Sequence, residues 1–250
     1  MELDGRVAVV TGGTRGVGAG IARAFLQAGA KVVICARRPP EVPVAGAEFV
    51  TLDLRDPAAV GEFFDGVVAR HGRLDTLVNN AGGTPYRLLG EADAARHARV
   101  IELNLTTPLT ASLAAHGHLR TAHGSVVMIG SVSGGRPSPG TAAYGAAKAG
   151  LESLARSMAV EWAPEVRVNT LVLGMVRTEV SPLHYGDEEG IAAVGRTVPL
   201  GRLAEPSEIG DAAVFLASPR AAYISGASLV MHGGGERPAF LDAATVNKET

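Results

Sequence analysis

The chain has 250 residues, 46% of them apolar, with 25 acidic and 23 basic side chains and a formal charge of -2. That balance offers no basic surface for nucleic acid or an anionic membrane, and no apolar run approaches the ~20 residues that span a bilayer. The lone cysteine, Cys35, can form no internal disulfide and reads as a small apolar core residue. Glu2 and Asp4 stand where a secretion signal would need an apolar stretch. A cytoplasmic protein is therefore expected, folded as one domain over residues 1–250.

Seven apolar segments of strand length alternate with helical patterns: RVAVVT, KVVICA, EFVTL, TLVNN, SVVMIG, VRVNTLVL and SLVMH. The helical patterns fall near residues 16–28, 57–71, 92–103, 107–120, 142–163 and 206–217. Continuous Val/Ile-rich strands separated by helices predict an α/β fold. It is a Rossmann-type, doubly wound parallel sheet of about seven strands with helices on both faces.

The first strand runs into TGGTRGVG and directly into a helix. In that setting Gly12, Thr14, Arg15, Gly16, Val17 and Gly18 read as a tight turn that sets a pyrophosphate at the helix N-terminus. There is neither a GK[ST] P-loop nor a G-x-S-x-G elbow. The second strand ends in Ala36-Arg37-Arg38, where an acidic residue would bind the ribose 2′-hydroxyl of NAD. Arg37, with Arg15 in the glycine turn, suits a 2′-phosphate instead, because guanidinium binds phosphate in bidentate fashion. NADP(H) is the expected cofactor and NAD(H) the alternative; the competing reading has these arginines merely facing solvent.

Asp53, followed by Leu54, lies after the third strand, at the edge where ligands collect. Asn79-Asn80-Ala81-Gly82 follows the fourth, with small residues that permit close approach of a ribose or adenine. Asn104, in VIELNLTTP, is an amide inside a helical pattern. It either stabilises a helix bend or holds a functional water.

Ser131 ends the fifth strand, and Tyr144 and Lys148 are four apart on the long helix that follows. That separation stacks the two side chains on one helix face, where an ammonium is expected to lower the phenol's pKa toward the working range of a general acid/base. Lys31, Lys148 and Lys248 are the only lysines in an arginine-rich chain, so a compact ammonium has been kept at 148. The Ser131 hydroxyl is placed to hydrogen-bond a substrate oxygen beneath the tyrosine.

With TGGTRGVG, Asp53, NNAG, Asn104, Ser131 and YGAAK in order, the chain resembles the short-chain dehydrogenase/reductase family, and is similar to its 3-oxoacyl reductase-like members, over residues 3–235. The resemblance implies that Tyr144 is the acid/base for hydride exchange between nicotinamide and a carbonyl or alcohol. It implies that Lys148 holds the nicotinamide ribose and lowers the Tyr144 pKa, that Ser131 binds the substrate oxygen, and that Asn104 positions a relay water. Asp53 and Leu54 would meet the adenine, and Asn80, Ala81 and Gly82 would line the cofactor ribose. After the sixth strand the family has Pro-Gly and then a Thr; here Leu173 replaces the proline, Gly174 and Thr178 are matched, and Val176 offers its backbone to the carboxamide. Loss of the proline predicts a slightly looser loop.

The substrate lid is expected at about residues 181–200, with His184 and Tyr185 facing the substrate or solvent, together with residues 83–89 and 136–141. Asp187, Glu188 and Glu189 read as a solvated acidic run, which argues against an anionic carrier docking there. A 3-oxoacyl thioester, a ring ketone or a smaller ketone remain open as substrates. The resemblance further implies a homotetramer, or failing that a dimer. The rival readings are a non-catalytic NADP(H) sensor, an NAD-dependent alcohol dehydrogenase of the same fold, and an epimerase or dehydratase of the extended branch. No metal ligands are assigned, and the tail 236–250 carries no motif.

Overall fold

A computed structural model describes residues 2–236 and 238–245. Of the tail marked off at 236–250, residues 237 and 246–250 thus lie outside the described residues. Strands β1 (Val7–Thr11), β2 (Lys31–Ala36), β3 (Glu48–Thr51), β4 (Thr76–Asn79), β5 (Ser125–Ser131), β6 (Arg167–Leu173) and β7 (Ser228–Met231) form one sheet in the order β3-β2-β1-β4-β5-β6-β7. Every pairing in it is parallel.

The strands read as unbroken apolar runs because both faces of the sheet are covered. Side chains alternate across a strand, so Val7 and Val9 enter one core layer while Ala8 and Val10 enter the other. The same split holds for Val33 and Cys35 against Val32 and Ile34, and for Val126 and Met128 against Val127 and Ile129. Helix α1 (Gly16–Gln27) closes the layer of Ala8 and Val10 with Phe25, and α2 (Pro57–His71) closes the layer of Val7 and Val9 with Phe64. Both phenylalanines are fully buried, each a truncation costing about 3–5 kcal/mol.

Local signals fix the helix ends. Asp56 caps α2 by accepting from the Ala58 and Ala59 N–H groups, with Pro57 in the first turn, and Gly72 ends it in the left-handed region. Helix α3 (Ala94–Ile101), capped by Asp93, is shorter than the 92–103 pattern because the chain then makes a π-turn over Glu102–Thr106 before α4 (Thr107–Ala122). Helix α5 (Ala142–Glu161) follows β5. The lid is not plain loop: it holds α6 (Pro182–Tyr185) and α7 (Glu188–Thr197). Helix α8 (Pro206–Ala217) then packs beside α1, and α9 (Ala239–Ala243) lies beyond β7.

From β1 the chain first moves outward to β2 and β3, then crosses to β4 on the other side. The strand order therefore reverses between β1 and β4, and the crevice at their C-terminal ends is where a ligand is held in this architecture.

Candidate active site

A cavity of about 1370 Å³ opens along the C-terminal ends of the strands, from Arg37 and Arg38 at one end to Ser131, Tyr144 and Lys148 at the other. Its floor is the glycine turn after β1. Gly12 is in the left-handed region at φ 63°, and a Cβ there would crowd Ala81. A Cβ on Gly18 would overlap the Gly12 carbonyl and the Asn80 amide, so only glycine lets helix and turn come this close.

Asn80 is committed to that turn. Its Nδ2 donates to the carbonyls of Thr11 at 2.9 Å and Gly12 at 3.1 Å, while the Thr11 hydroxyl accepts from the N–H groups of Asn80 and Ala81, both at 3.0 Å. Asn80 and Ala81 line the cavity, but the Asn80 side chain shapes the floor and has no N–H left for a ribose. Thr11 was not singled out in the sequence, where it looks like one more strand residue.

Asn104 sits in the π-turn, 0% exposed. Its Oδ1 accepts from the Gly83 N–H at 2.9 Å, and its Nδ2 donates to the carbonyls of Gly83 at 3.0 Å and Val100 at 2.8 Å. This pairing clamps the loop after β4 to the bend, so the bend-stabilising reading describes the side chain. Both amide hydrogens are used, leaving only the second lone pair of Oδ1 and the backbone for a water. A Cβ on Gly82 would lie 2.6 Å from Asn104 Oδ1 and 3.5 Å from Lys148 Nζ, so the clamp adjoins the lysine.

Lys148 is 3% exposed, and its Nζ donates to the Ile129 carbonyl of β5 at 2.7 Å. Nζ lies 5.5 Å from the centroid of the Tyr144 ring. Burial pulls the Lys148 pKa down to about 8. Burial also pushes the Tyr144 phenol above its ordinary value, and the Ser131 hydroxyl beside it opposes the rise. The Tyr144 shift is thus upward, with burial its largest cause, and the lowering expected from Lys148 is not among its causes. Ser131, at the end of β5, accepts from the Ser133 N–H at 3.2 Å, which leaves its own proton free to donate.

At the far end Asp53 is held in a bidentate ion pair by Arg55, with Nε to Oδ1 at 2.9 Å. That pair, chiefly its hydrogen bonds, pulls the Asp53 pKa down to about 2. Arg55 escaped the sequence reading, although a basic residue two positions from a ligand-edge Asp is a visible signal. Leu54 lines the same wall. Thr14, Arg15, Gly16 and Val17 line the cavity beside the glycine turn. Among the described residues Arg15, Arg37 and Arg38 are not in the ion pairs that take up Arg55, Arg136, Arg177 and Arg202.

The loop after β6, where Leu173 stands in place of the family proline, is tied by hydrogen bonds to β7 and to the segment before α8. The Gly174 N–H donates to Met231, the Ala204 N–H to Met175 and the Arg177 N–H to Ala204, at 2.8–3.0 Å, and Thr178 N donates to Ser181 Oγ at 2.9 Å. Val176 and Ala204 form a parallel bridge. Glu179 reaches back from this loop and accepts from the Gly16 N–H at 2.9 Å. In the lid Tyr185 lines the cavity, Asp187 caps α7 through the Gly190 N–H at 2.9 Å, and Glu188 pairs with Arg177 at 2.7 Å. The acidic run is therefore partly structural and not simply solvated.

Comparison with known proteins places this geometry. A family model described as enoyl-(acyl carrier protein) reductase matches residues 12–236. The 3-oxoacyl-[acyl-carrier-protein] reductase FabG of Vibrio cholerae is 36% identical over 242 residues, covering 94% of this chain and 98% of that protein. An L-fucose dehydrogenase of Oryctolagus cuniculus is 37% identical over 243 residues, 93% of this chain and 85% of that one. Among solved structures, the aldohexose dehydrogenase of Thermoplasma acidophilum superposes with a TM-score of 0.89 at 28% identity, over 99% of this chain and 98% of that one.

Proposed function

Because this chain belongs to the short-chain dehydrogenase/reductase family of oxidoreductases, we propose that it exchanges hydride between NADP(H) and a ketone or secondary alcohol, with Tyr144 as proton donor or acceptor. The observation that carries the reading is the buried Lys148, anchored to Ile129 and 5.5 Å from the Tyr144 ring, in one cavity with Ser131 and the glycine turn. The residues present fit a dinucleotide. The turn at Gly12 and Gly18 leaves a cradle that a Cβ would fill, and free arginines stand at the other end.

When bound, the nicotinamide supplies the hydride. The Ser131 O–H orients the substrate oxygen, and the Tyr144 O–H delivers a proton to that oxygen, or takes one in the reverse direction. A phenol is protonated at neutral pH, so Tyr144 stands ready as the donor in the reducing direction. Lys148 brings positive charge to the ribose side of the tyrosine, and the Asn104 clamp fixes the loop at Gly82 and Gly83 beside it. Arg37 and Arg15 would hold the 2′-phosphate, Asp53 would meet the adenine, and the Val176 backbone and Thr178 hydroxyl would meet the carboxamide and pyrophosphate.

The substrate class is a 3-oxoacyl thioester or a ring ketone, entering between residues 83–89 and the lid with Tyr185. The relatives' names span acyl and sugar substrates, so the test is a panel: NADPH oxidation with a short 3-oxoacyl-CoA, cyclic ketones and aldose lactones. Turnover with one of the first two classes, and a strong preference over NADH, is the expected result. Equal use of NADH, or turnover only on the sugar side, would overturn the corresponding part. We further read the protein as a cytoplasmic homotetramer. Leu113 on α4 and Val160 on α5 are 59% and 81% exposed, and Leu229 and Val230 of β7 are exposed as well, which supports contacts through both surfaces.

A further inference from the structure

The N-terminus of α1 meets a carboxylate from its own chain. Gly16 N–H donates to Glu179 Oε1 at 2.9 Å, and the second carboxylate oxygen lies 3.6 Å from where a Gly16 Cβ would be. Free amides and the helix dipole make that spot favourable for an anion. On the dinucleotide reading above, from which this inference proceeds, it is also where the pyrophosphate belongs. Two anions cannot share it without strong repulsion.

Glu179 stands at a boundary. Gly16, Arg23, Thr178 and Glu179 line both the large cavity and a neighbouring pocket of about 360 Å³ under the lid. The smaller pocket is lined by two cations, Arg23 and Arg177, and two further acids, Glu188 and Glu205. Arg177 is already held by Glu188 at 2.7 Å. Arg23, exposed on α1, has no ion-pair partner among the described residues.

We propose that Glu179 is a latch on the cofactor groove: its carboxylate ties the lid loop to α1 at the pyrophosphate position, and an incoming dinucleotide displaces it into the adjoining pocket toward Arg23. Glu179 thereby sets dinucleotide affinity without touching the reacting atoms. The rest of the loop is independently pinned through Ser181, Met231 and Ala204, so the Glu179 side chain can leave α1 while its backbone stays in place.

The test is NADPH affinity, read by cofactor fluorescence, for wild type, Glu179→Gln and Glu189→Gln, an exposed lid acid away from the latch. Adenosine 2′-monophosphate, which carries the adenine and 2′-phosphate but no pyrophosphate, serves as the second ligand. Glu179→Gln should bind NADPH roughly three- to tenfold tighter, with adenosine 2′-monophosphate within about twofold of wild type and Glu189→Gln unchanged. Arg23→Ala should weaken NADPH binding in wild type but not in the Glu179→Gln background, the signature of direct coupling. NADPH affinity equal to or weaker than wild type in a Glu179→Gln protein that still binds adenosine 2′-monophosphate overturns the latch and leaves the cofactor reading intact. Failure of folded wild type and variant alike to bind NADPH overturns both.

Discussion

Lys148, on α5, donates its Nζ to the Ile129 carbonyl of β5 at 2.7 Å, tying the ammonium to the sheet from the inside. Burial at this point lowers the Lys148 pKa from 10.5 to about 8. The folded state therefore gives up the proton before the unfolded chain does. Below pH 8 both states are protonated and the desolvation cost is fully present; between about 8 and 10.5 the unfolded chain binds more protons, so this contribution rises with pH. Lys148→Met should be about 1–2 kcal/mol more stable than wild type at pH 7, after allowing for the lost bond to Ile129, and the advantage should shrink toward pH 10. Thermal melts across that range check it. Carbonyl reduction should also fall as pH rises through about 8, since the cation is lost there; a kcat/KM profile flat to pH 9 would contradict the assignment.

Arg37 is exposed at the far end of the cavity. Arg37→Ala should raise the NADPH KM about tenfold, the worth of one charge-assisted phosphate contact, while leaving the NADH KM nearly unchanged. Steady-state kinetics with both cofactors separate this from a general loss of fold, which would weaken both.

Asn104 makes three hydrogen bonds while 0% exposed, two of them to Gly83. Asn104→Ala orphans the Gly83 N–H and carbonyl and should cost about 2–4 kcal/mol in chemical denaturation. A loss below about 0.5 kcal/mol would mean that the clamp does not hold the loop.

Leu113 on α4 and Val160 on α5 are the apolar, exposed residues taken above to support subunit contacts. Light scattering should report a tetramer, and Val160→Glu with Leu113→Glu should reduce it to a smaller species. A wild-type monomer would refute the assembly.

Much of this was legible in the chain itself, for definite reasons. Val7 to Val10 are buried on both faces, so the first strand announces a parallel sheet, and the spacing of Tyr144 and Lys148 survives intact on α5. What local pattern could not convey depends on partners far along the chain. Glu179 bonds Gly16 across 163 residues, and Asn80 spends its amide on Thr11 and Gly12. The π-turn at Asn104 interrupts a segment whose composition is helical throughout. The sign of the Tyr144 shift turned on burial depth, which spacing alone does not give. Helix α6 was hidden by its shortness and by Pro182 and Gly186 at its ends.

The central claim is that Tyr144 moves the proton while the rest of the cavity binds the cofactor. The measurement that bears on it most directly is the rate of NADPH oxidation with a short 3-oxoacyl-CoA by wild type and Tyr144→Phe, with NADPH affinity measured on the same samples. Loss of the proton donor should lower the rate by about 10²–10⁴ and leave the affinity within about twofold. Turnover by Tyr144→Phe at the wild-type rate would contradict the account.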